Sequence, residues 1–320
     1  MKIIHATLGG SMLDLQRLRM LREVHRLGTL ARAADSMAYT PSAISHQLSL
    51  LEKEAGVVLL ERVGRGVRLT PEAVTLVRHT EEMLAQMERA EADLAGAQTT
   101  VGGTIRIGAF QTAVMAAAST ALDYLEQAHP QLTVEITEQE VTAAYEGLVS
   151  HDVDMIIGEE YPGLAEPVRP GVERVDLIRD PMYLVIPTTG PFSDIPETFR
   201  DLADCPWAMD PDDQPTGLWA RALCRHAGFE PRVRFNTHNP LIQSNLVAAG
   251  HAVAVIPALL GDHAAAGTRL IGLPGNGYRM VYTSVRTGRE NHPAVRACRE
   301  AFEAAVHREA SPDPELRLSR

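Results

Sequence analysis

Ser42, Ser45, His46, Ser49 and Lys53 fall on one side of a helix wound at about 100° per residue, and Ile44, Leu48 and Leu51 form the stripe opposite. Hydroxyls both donate and accept, and an imidazole does either, so this set suits phosphate oxygens and the edges of bases in a groove just wide enough for a helix. A merely solvated helix presents a polar face too. The surrounding elements decide between the two.

Leu15, Leu18, Leu21, Val24 and Leu27 recur every three residues, which predicts a helix ended by Gly28. Thr29 starts a short segment whose Ala33 and Ala34 are small enough for another helix to cross closely. After the turn Ala38-Tyr39, Thr40 is an N-cap and Pro41 a first helical residue, opening a helix that runs to Gly56. Helix, tight turn and helix make a helix-turn-helix, whose second helix offers its outer N-terminal residues to the DNA major groove. Residues 59–70 then form two extended runs around Val63-Gly64-Arg65-Gly66. Arg62, Arg65 and Arg68 make that hairpin a candidate wing, laying arginines along phosphates or into the minor groove.

Thr70-Pro71 begins a helix expected over 71–97, roughly 40 Å long at about 1.5 Å per residue. Val77, Thr80, Leu84, Met87 and Leu94 lie at a and d spacing, interrupted by Glu91. Such a stripe needs a partner, another chain or another domain; a homodimer is favoured over packing within the same chain, with Val77, Leu84, Met87 and Leu94 expected to dimerise it.

The length of 320 residues predicts two or more domains, and 45 % apolar with 22 % charged residues is a globular balance. The net charge of −11 is unevenly divided: residues 1–70 carry ten basic and six acidic side chains, the remainder twenty and thirty-five. A basic head on an acidic body suggests that only the head meets a polyanion. Residues 1–11 read as a disordered extension rather than a secretory signal, with Met12 a second candidate start. No apolar run nears the ~18 residues of a membrane span. Cys205, Cys224 and Cys298 lack CxxC spacing, so a reducing cytoplasm is expected.

Beyond the polar hinge 98–102 the pattern alternates strand and helix: TIRIGAF, a helix over 112–128, LTVEIT, a helix over 141–150, DMIIG, MYLVIP, a helix over 217–228, VRFN, NPLIQSNLVAAG, AVAVIP, YRMVYTSVR and a last helix over 292–308. This is α/β architecture, with ligand space at the carboxyl ends of strands. Enzyme signatures are missing: there is no GxSxG, SxxK, HExxH or GxxxxGK[ST], and no lysine after Lys53 to form a pyridoxal Schiff base. His151, Asp152 and Asp154 look like metal ligands at first sight but read better as loop residues, and Gly272, Gly275 and Gly277 do not lie between a strand and a helix. No catalysis, metal or cofactor is expected.

LRMLREVHRLGTLARAADSM followed by TPSAISHQLSLLEKEAGVVLLERVGRGVRLTPEA resembles the N-terminal module of LysR-type transcriptional regulators. GGTIRIGAF, LVSHDVDMIIGE, RDPMYLVIP and LVAAGHAVAVIP are similar to that family's effector domain, whose fold is like that of bacterial solute-binding proteins. The resemblance implies an all-α winged helix-turn-helix over 12–70, a linker helix over 71–97, a two-subdomain α/β effector domain over 103–308 (103–180 with 281–308, and 181–280) and a tail over 309–320. It implies DNA contacts from Thr29, Arg32, Thr40 and Pro41 besides the helix and wing residues above. Its effector positions fall on Phe110, Gln111, Thr112, Thr137, Glu138, Glu159 and Tyr161, and across the cleft on Thr237, His238 and Pro257.

The implied function is effector-modulated promoter binding by a dimer or tetramer, with double-stranded DNA, a small molecule and RNA polymerase as partners and no membrane. Two departures are informative. His46 and Ser49 stand where the family more often has arginines, and Glu138, Glu140, Glu159 and Glu160 gather near the cleft, which points to an effector carrying an amine or other cationic group. A competing reading is a cytoplasmic sensor that acts on protein partners without DNA.

Overall fold

Asp14 opens the first helix, α1 (Leu15–Leu27), by accepting the Arg17 N–H at 3.0 Å, and Gly28 closes it in the left-handed region at φ 76°. The Thr29 hydroxyl caps α2 (Leu30–Ser36) through the Arg32 N–H at 3.2 Å. Ala38, at φ 56°, makes the tight turn into α3 (Pro41–Ala55), where Thr40 Oγ1 accepts the Ala43 N–H at 3.2 Å. The computed structural model describes residues 12–64, 66–164, 170–263, 266–275 and 277–309; the expected extension 1–11, Arg65 and the tail from 310 on lie outside the described residues. The chain divides into two compact units, Met1–Glu91 and Ala92–Arg320.

In the first unit Leu18, Leu21 and Val24 pack with Ala33, Ala34, Ile44, Leu48 and Leu51 in one core. Each fully buried leucine contributes roughly 1.5–3 kcal/mol, and the two alanines let α2 and α3 approach. Glu52 Oε1 accepts the Leu59 and Leu60 N–H groups at 2.8 and 3.1 Å, fixing where the hairpin β1 (Leu60–Val63) and β2 (Gly66–Leu69) leaves α3. Thr70 Oγ1 donates to the Val58 carbonyl at 2.9 Å and accepts the Ala73 N–H at 3.2 Å, starting α4 (Pro71–Gly96).

One expectation fails on α4. Val77 is 3 % exposed and belongs with Ala73 to the helix-turn-helix core, so it does not face a partner chain. Thr80 is buried as well, its hydroxyl donating to the Leu76 carbonyl at 2.8 Å. Leu84 is half-buried, whereas Met87 and Leu94 are 46 % and 73 % exposed. Heptad spacing identifies a stripe, but the first turns of this one are already covered by the protein's own core.

The second unit runs β3 (Gly102–Ala109), α5 (Gln111–Ala113), a π turn (Val114–Ala118), α6 (Ser119–Ala128), β4 (Gln131–Glu138), α7 (Val141–Ser150) and β5 (Met155–Glu160). It continues with β6 (Val172–Pro187), β7 (Pro206–Met209), α8 (Pro215–His226), β8 (Arg232–Asn236), α9 (Pro240–Ala248), β9 (Ala254–Pro257), β10 (Thr268–Gly272), β11 (Tyr278–Arg286) and α10 (Pro293–Glu309). The main sheet has the order β10-β6-β11-β5-β3-β4, with β9 also on β6 and β7 paired with β8.

The long strand β6 is the key to this topology. Its first half pairs antiparallel with β11, and beyond Pro181 its second half pairs with β10 and β9. Sequence patterning predicts only MYLVIP as strand; the strand begins ten residues earlier, at Val172, and Pro181 is the point where the ladder changes partners. Two main apolar clusters flank this crossing, one around Ile107, Leu148 and Phe302 and one around Trp207, Leu184 and Ile271. Asp154 is structural: it accepts the Arg106 N–H at 3.0 Å and pairs with Arg286 and Arg289 at 3.2 and 3.4 Å. Among the described residues no helix is long and apolar enough to cross a membrane.

Candidate functional site

Two surfaces collect the residues whose chemistry sequence patterning singles out, one in each unit. On the first, Ile44, Leu48 and Leu51 are buried, and this alone turns the opposite side of α3 outward. Pro41, Ser42, Ser45, His46, Ser49 and Lys53 are all exposed. The helix is clamped from behind: Arg17 on α1 donates from Nε to Gln47 Oε1 at 2.9 Å and forms an ion pair with Glu54. Such anchoring holds the outer side chains in one orientation relative to the hairpin.

Some of these groups are partly committed. Thr40 Oγ1 serves as the cap and contacts Ser42 Oγ at 3.0 Å, and Ser49 Oγ donates to the Ser45 carbonyl at 3.0 Å, leaving its lone pairs for an outside donor. Thr29 and Arg32 are exposed at the start of α2. On the hairpin, Arg68 is tied to Glu61 at 2.8 Å, while Arg62 is exposed with no ion pair among the described residues. Behind them Glu23 is buried; burial opposes its charge, but hydrogen bonds from Arg26 and Ser36, each at 2.6 Å, outweigh that and hold its carboxyl below the usual value.

The second surface is a cleft in the Ala92–Arg320 unit, about 740 Å³ including the solvent-open space at its mouth. Four helix starts contribute to it: Phe110, Gln111 and Thr112 lead into α5, Glu140 to Thr142 into α7, Gln214 to Thr216 into α8, and His238 and Pro240 into α9. The remaining lining comes from Glu159 near the end of β5 and Tyr161 just beyond it, Asp210 after β7, Gln243, Val255, Pro257 and Arg279. Ligand space at the carboxyl ends of β5 and β7 follows the general rule for such sheets.

Of the positions implied for the effector, Phe110, Gln111, Thr112, Glu159, Tyr161, His238 and Pro257 meet in this cleft. Thr137 and Glu138 do not; both are exposed on the end of β4, outside the lining. Thr237 is outside it as well, and supports it: its carbonyl accepts Gln243 Nε2 at 2.9 Å, the same nitrogen that donates to Asp210 Oδ1 at 2.6 Å.

At the floor lies Arg279. Its Nε donates to Asp180 Oδ2 at 2.8 Å, its Nη1 pairs with Glu159, its Nη2 reaches Thr112 Oγ1 at 2.7 Å, and its guanidinium lies 4.9 Å from the centre of the Phe110 ring. Burial works against its charge, but Asp180 and Glu159 outweigh burial and raise its pKa. Asp180 Oδ1 also accepts the Leu259 N–H at 2.9 Å. Tyr161, fully buried, bridges Glu159 at 3.1 Å and Thr216 at 2.9 Å, and burial followed by the nearby Glu159 charge pushes its phenol well above the usual value. Burial and Glu159 together push Asp210 up to about 6, and the same two causes raise Glu140.

Arg279, Asp180, Asp210 and Gln243 escape sequence inspection. Arg279 sits in a run that reads as an ordinary strand; a charged residue in a strand with apolar neighbours is the signal that could have marked it.

Residues 15–74 match the profile described as bacterial regulatory helix-turn-helix protein, lysR family, and residues 98–306 the profile described as LysR substrate binding domain. A probable RuBisCO transcriptional regulator of Gracilaria tenuistipitata var. liui is 29 % identical over 188 residues, covering 58 % of this chain, and the chain spans only 60 % of that relative's length. The HTH-type transcriptional regulator BenM of Acinetobacter baylyi is 24 % identical over 258 residues, 77 % of this chain and 81 % of BenM. A full-length OxyR variant from Pseudomonas aeruginosa has the same fold, with a TM-score of 0.62 at 19 % identity over 95 % of this chain and 99 % of its own.

Proposed function

The chain belongs to the LysR family of bacterial regulators, and on that premise we propose that it is a transcriptional regulator whose binding to promoter DNA is modulated by a small molecule held in the cleft. The observation that carries this is the outer side of α3, where Ser42, Ser45, His46, Ser49 and Lys53 stand exposed behind a buried anchor. An exposed helix of this kind fits the major groove, and Arg62 and Arg65 of the hairpin would meet the flanking phosphates.

Met87 and Leu94 support self-association, since an apolar stripe on a helix of this length is covered by a second chain more readily than by water. A dimer would carry two recognition helices to two half-sites, and pairs of dimers would make a tetramer. In this reading the effector acts where β6 crosses between the two apolar clusters: a ligand touching Glu159 and Asp210 favours one arrangement of the lobes only by its differential affinity for it. RNA polymerase is a further partner, the place of action is the cytoplasm, and the cleft binds without catalysing.

Titration of the full chain against DNA from its own upstream region, at several salt concentrations, tests the proposal. Each phosphate neutralised contributes a slope of about −0.9 in log affinity against log salt. Steep salt dependence is expected. Negligible binding even at low salt would instead favour a sensor acting on protein partners.

A further inference from the structure

The charge balance of the cleft is lopsided. Glu140, Glu159 and Asp210 line it, and against them, among the described lining residues, stand Arg279 and the imidazole of His238, whose charge opposes both Glu140 and Asp210. Most of that arginine is already committed, because all three of its nitrogens are bound, to Asp180, Glu159 and Thr112, and its face lies over Phe110. The carboxylates are less occupied. The Glu140 carboxylate makes no hydrogen bond among the described residues, and the Asp210 carboxylate is held only at Oδ1, by Gln243. The helix starts at α7 and α8 would favour negative charge, but Glu140 itself stands at the N-cap of α7, so the protein's own carboxylate already occupies that field.

We propose that the effector is a small organic cation whose ammonium or guanidinium group is held by Glu140 and Asp210, with Glu159 beside them. This rests on the cleft being the effector site, and it gives the site a ligand class. An ammonium brings donors and a positive charge to Glu140 and Asp210 beyond what His238 supplies, while a free carboxylate would meet like charges, of which only Glu159 is paired with Arg279. Binding would draw Glu140 and Asp210 together from two sides of the cleft, since one precedes α7 and the other follows β7.

The test is calorimetric titration of the full chain with 1,4-diaminobutane and agmatine as cationic probes, 1,4-butanediol as their neutral counterpart and succinate as the anionic one. The expected result is saturable binding of at least one cation and of neither other probe, weakened about tenfold or more in Glu140→Gln and in Asp210→Asn. Asparagine keeps the Oδ1 acceptor for Gln243, so the second variant retains the local fold. Cation binding equally strong in both variants overturns the proposal, because it would then be attraction to acidic surface. No cation binding up to about 10 mM overturns it as well. Succinate binding that is lost in Thr112→Val overturns the cationic class while leaving the cleft as the effector site.

Discussion

Gln243 on α9 donates from Nε2 to Asp210 Oδ1 at 2.6 Å, holding the carboxylate just beyond β7 against the cleft it lines. Asp210 faces Glu159 and Glu140, with His238 as the nearby opposing group, and its pKa lies at about 6. A carboxylate raised in this way favours folding while protonated, and that contribution fades as pH rises through about 6. Asp210→Asn is therefore expected to be more stable than the parent at pH 7.5, by about 1 to 3 kcal/mol, with the gap closing toward pH 4. Urea unfolding at the two pH values measures it; a variant less stable at pH 7.5 would contradict the assignment.

Arg279→Met strands Asp180 and half of Glu159 without their buried partner. Removing one member of a buried ion pair costs about 3 to 5 kcal/mol. The cleft-bearing unit should lose that much, and the loss should shrink in Arg279→Met combined with Asp180→Asn. A single variant as stable as the parent would mean that the guanidinium is not neutralising these groups.

On the proposed DNA surface, Ser45→Ala should weaken binding to the specific site by about 1 to 3 kcal/mol if the hydroxyl reads a base, and leave random DNA unaffected. Arg62→Ala should weaken binding to every sequence alike and flatten the salt slope by about one phosphate. Fluorescence anisotropy with specific and scrambled duplexes separates the two patterns. The same pattern from both variants would remove the distinction between helix and wing.

Leu94→Glu or Met87→Glu is expected to shift the protein toward monomer in analytical ultracentrifugation with little effect on folding, since both side chains are exposed. Val77→Ala should do the opposite, destabilising the first unit by roughly 1 to 2 kcal/mol through a core cavity while leaving association intact. A dimer that survives both glutamates would locate the interface elsewhere.

The helix-turn-helix was legible because its signals are local. Thr29 and Thr40 each bond to the backbone N–H group three residues on, and Gly28 and Gly56 supply the left-handed turns that end α1 and α3. The direction of α3 was legible too, since burial of Ile44, Leu48 and Leu51 turns the rest outward. Val77 was misread because spacing fixes a face and says nothing about what already covers it. The cleft was half legible: Phe110, Glu159 and Tyr161 end strands recognisable by pattern, but Asp210, Gln243 and Arg279 come from three segments brought together only by the crossing of β6, and β7 and β10 were too short or too plain to stand out.

That sixteen-residue strand also bears on how the second unit comes apart. Because β6 supplies a ladder to both lobes, neither can release it without exposing the amides of the other. Hydrogen exchange should therefore protect Val175 and Leu184 to a similar depth, as members of one cooperative block rather than of two that open in turn.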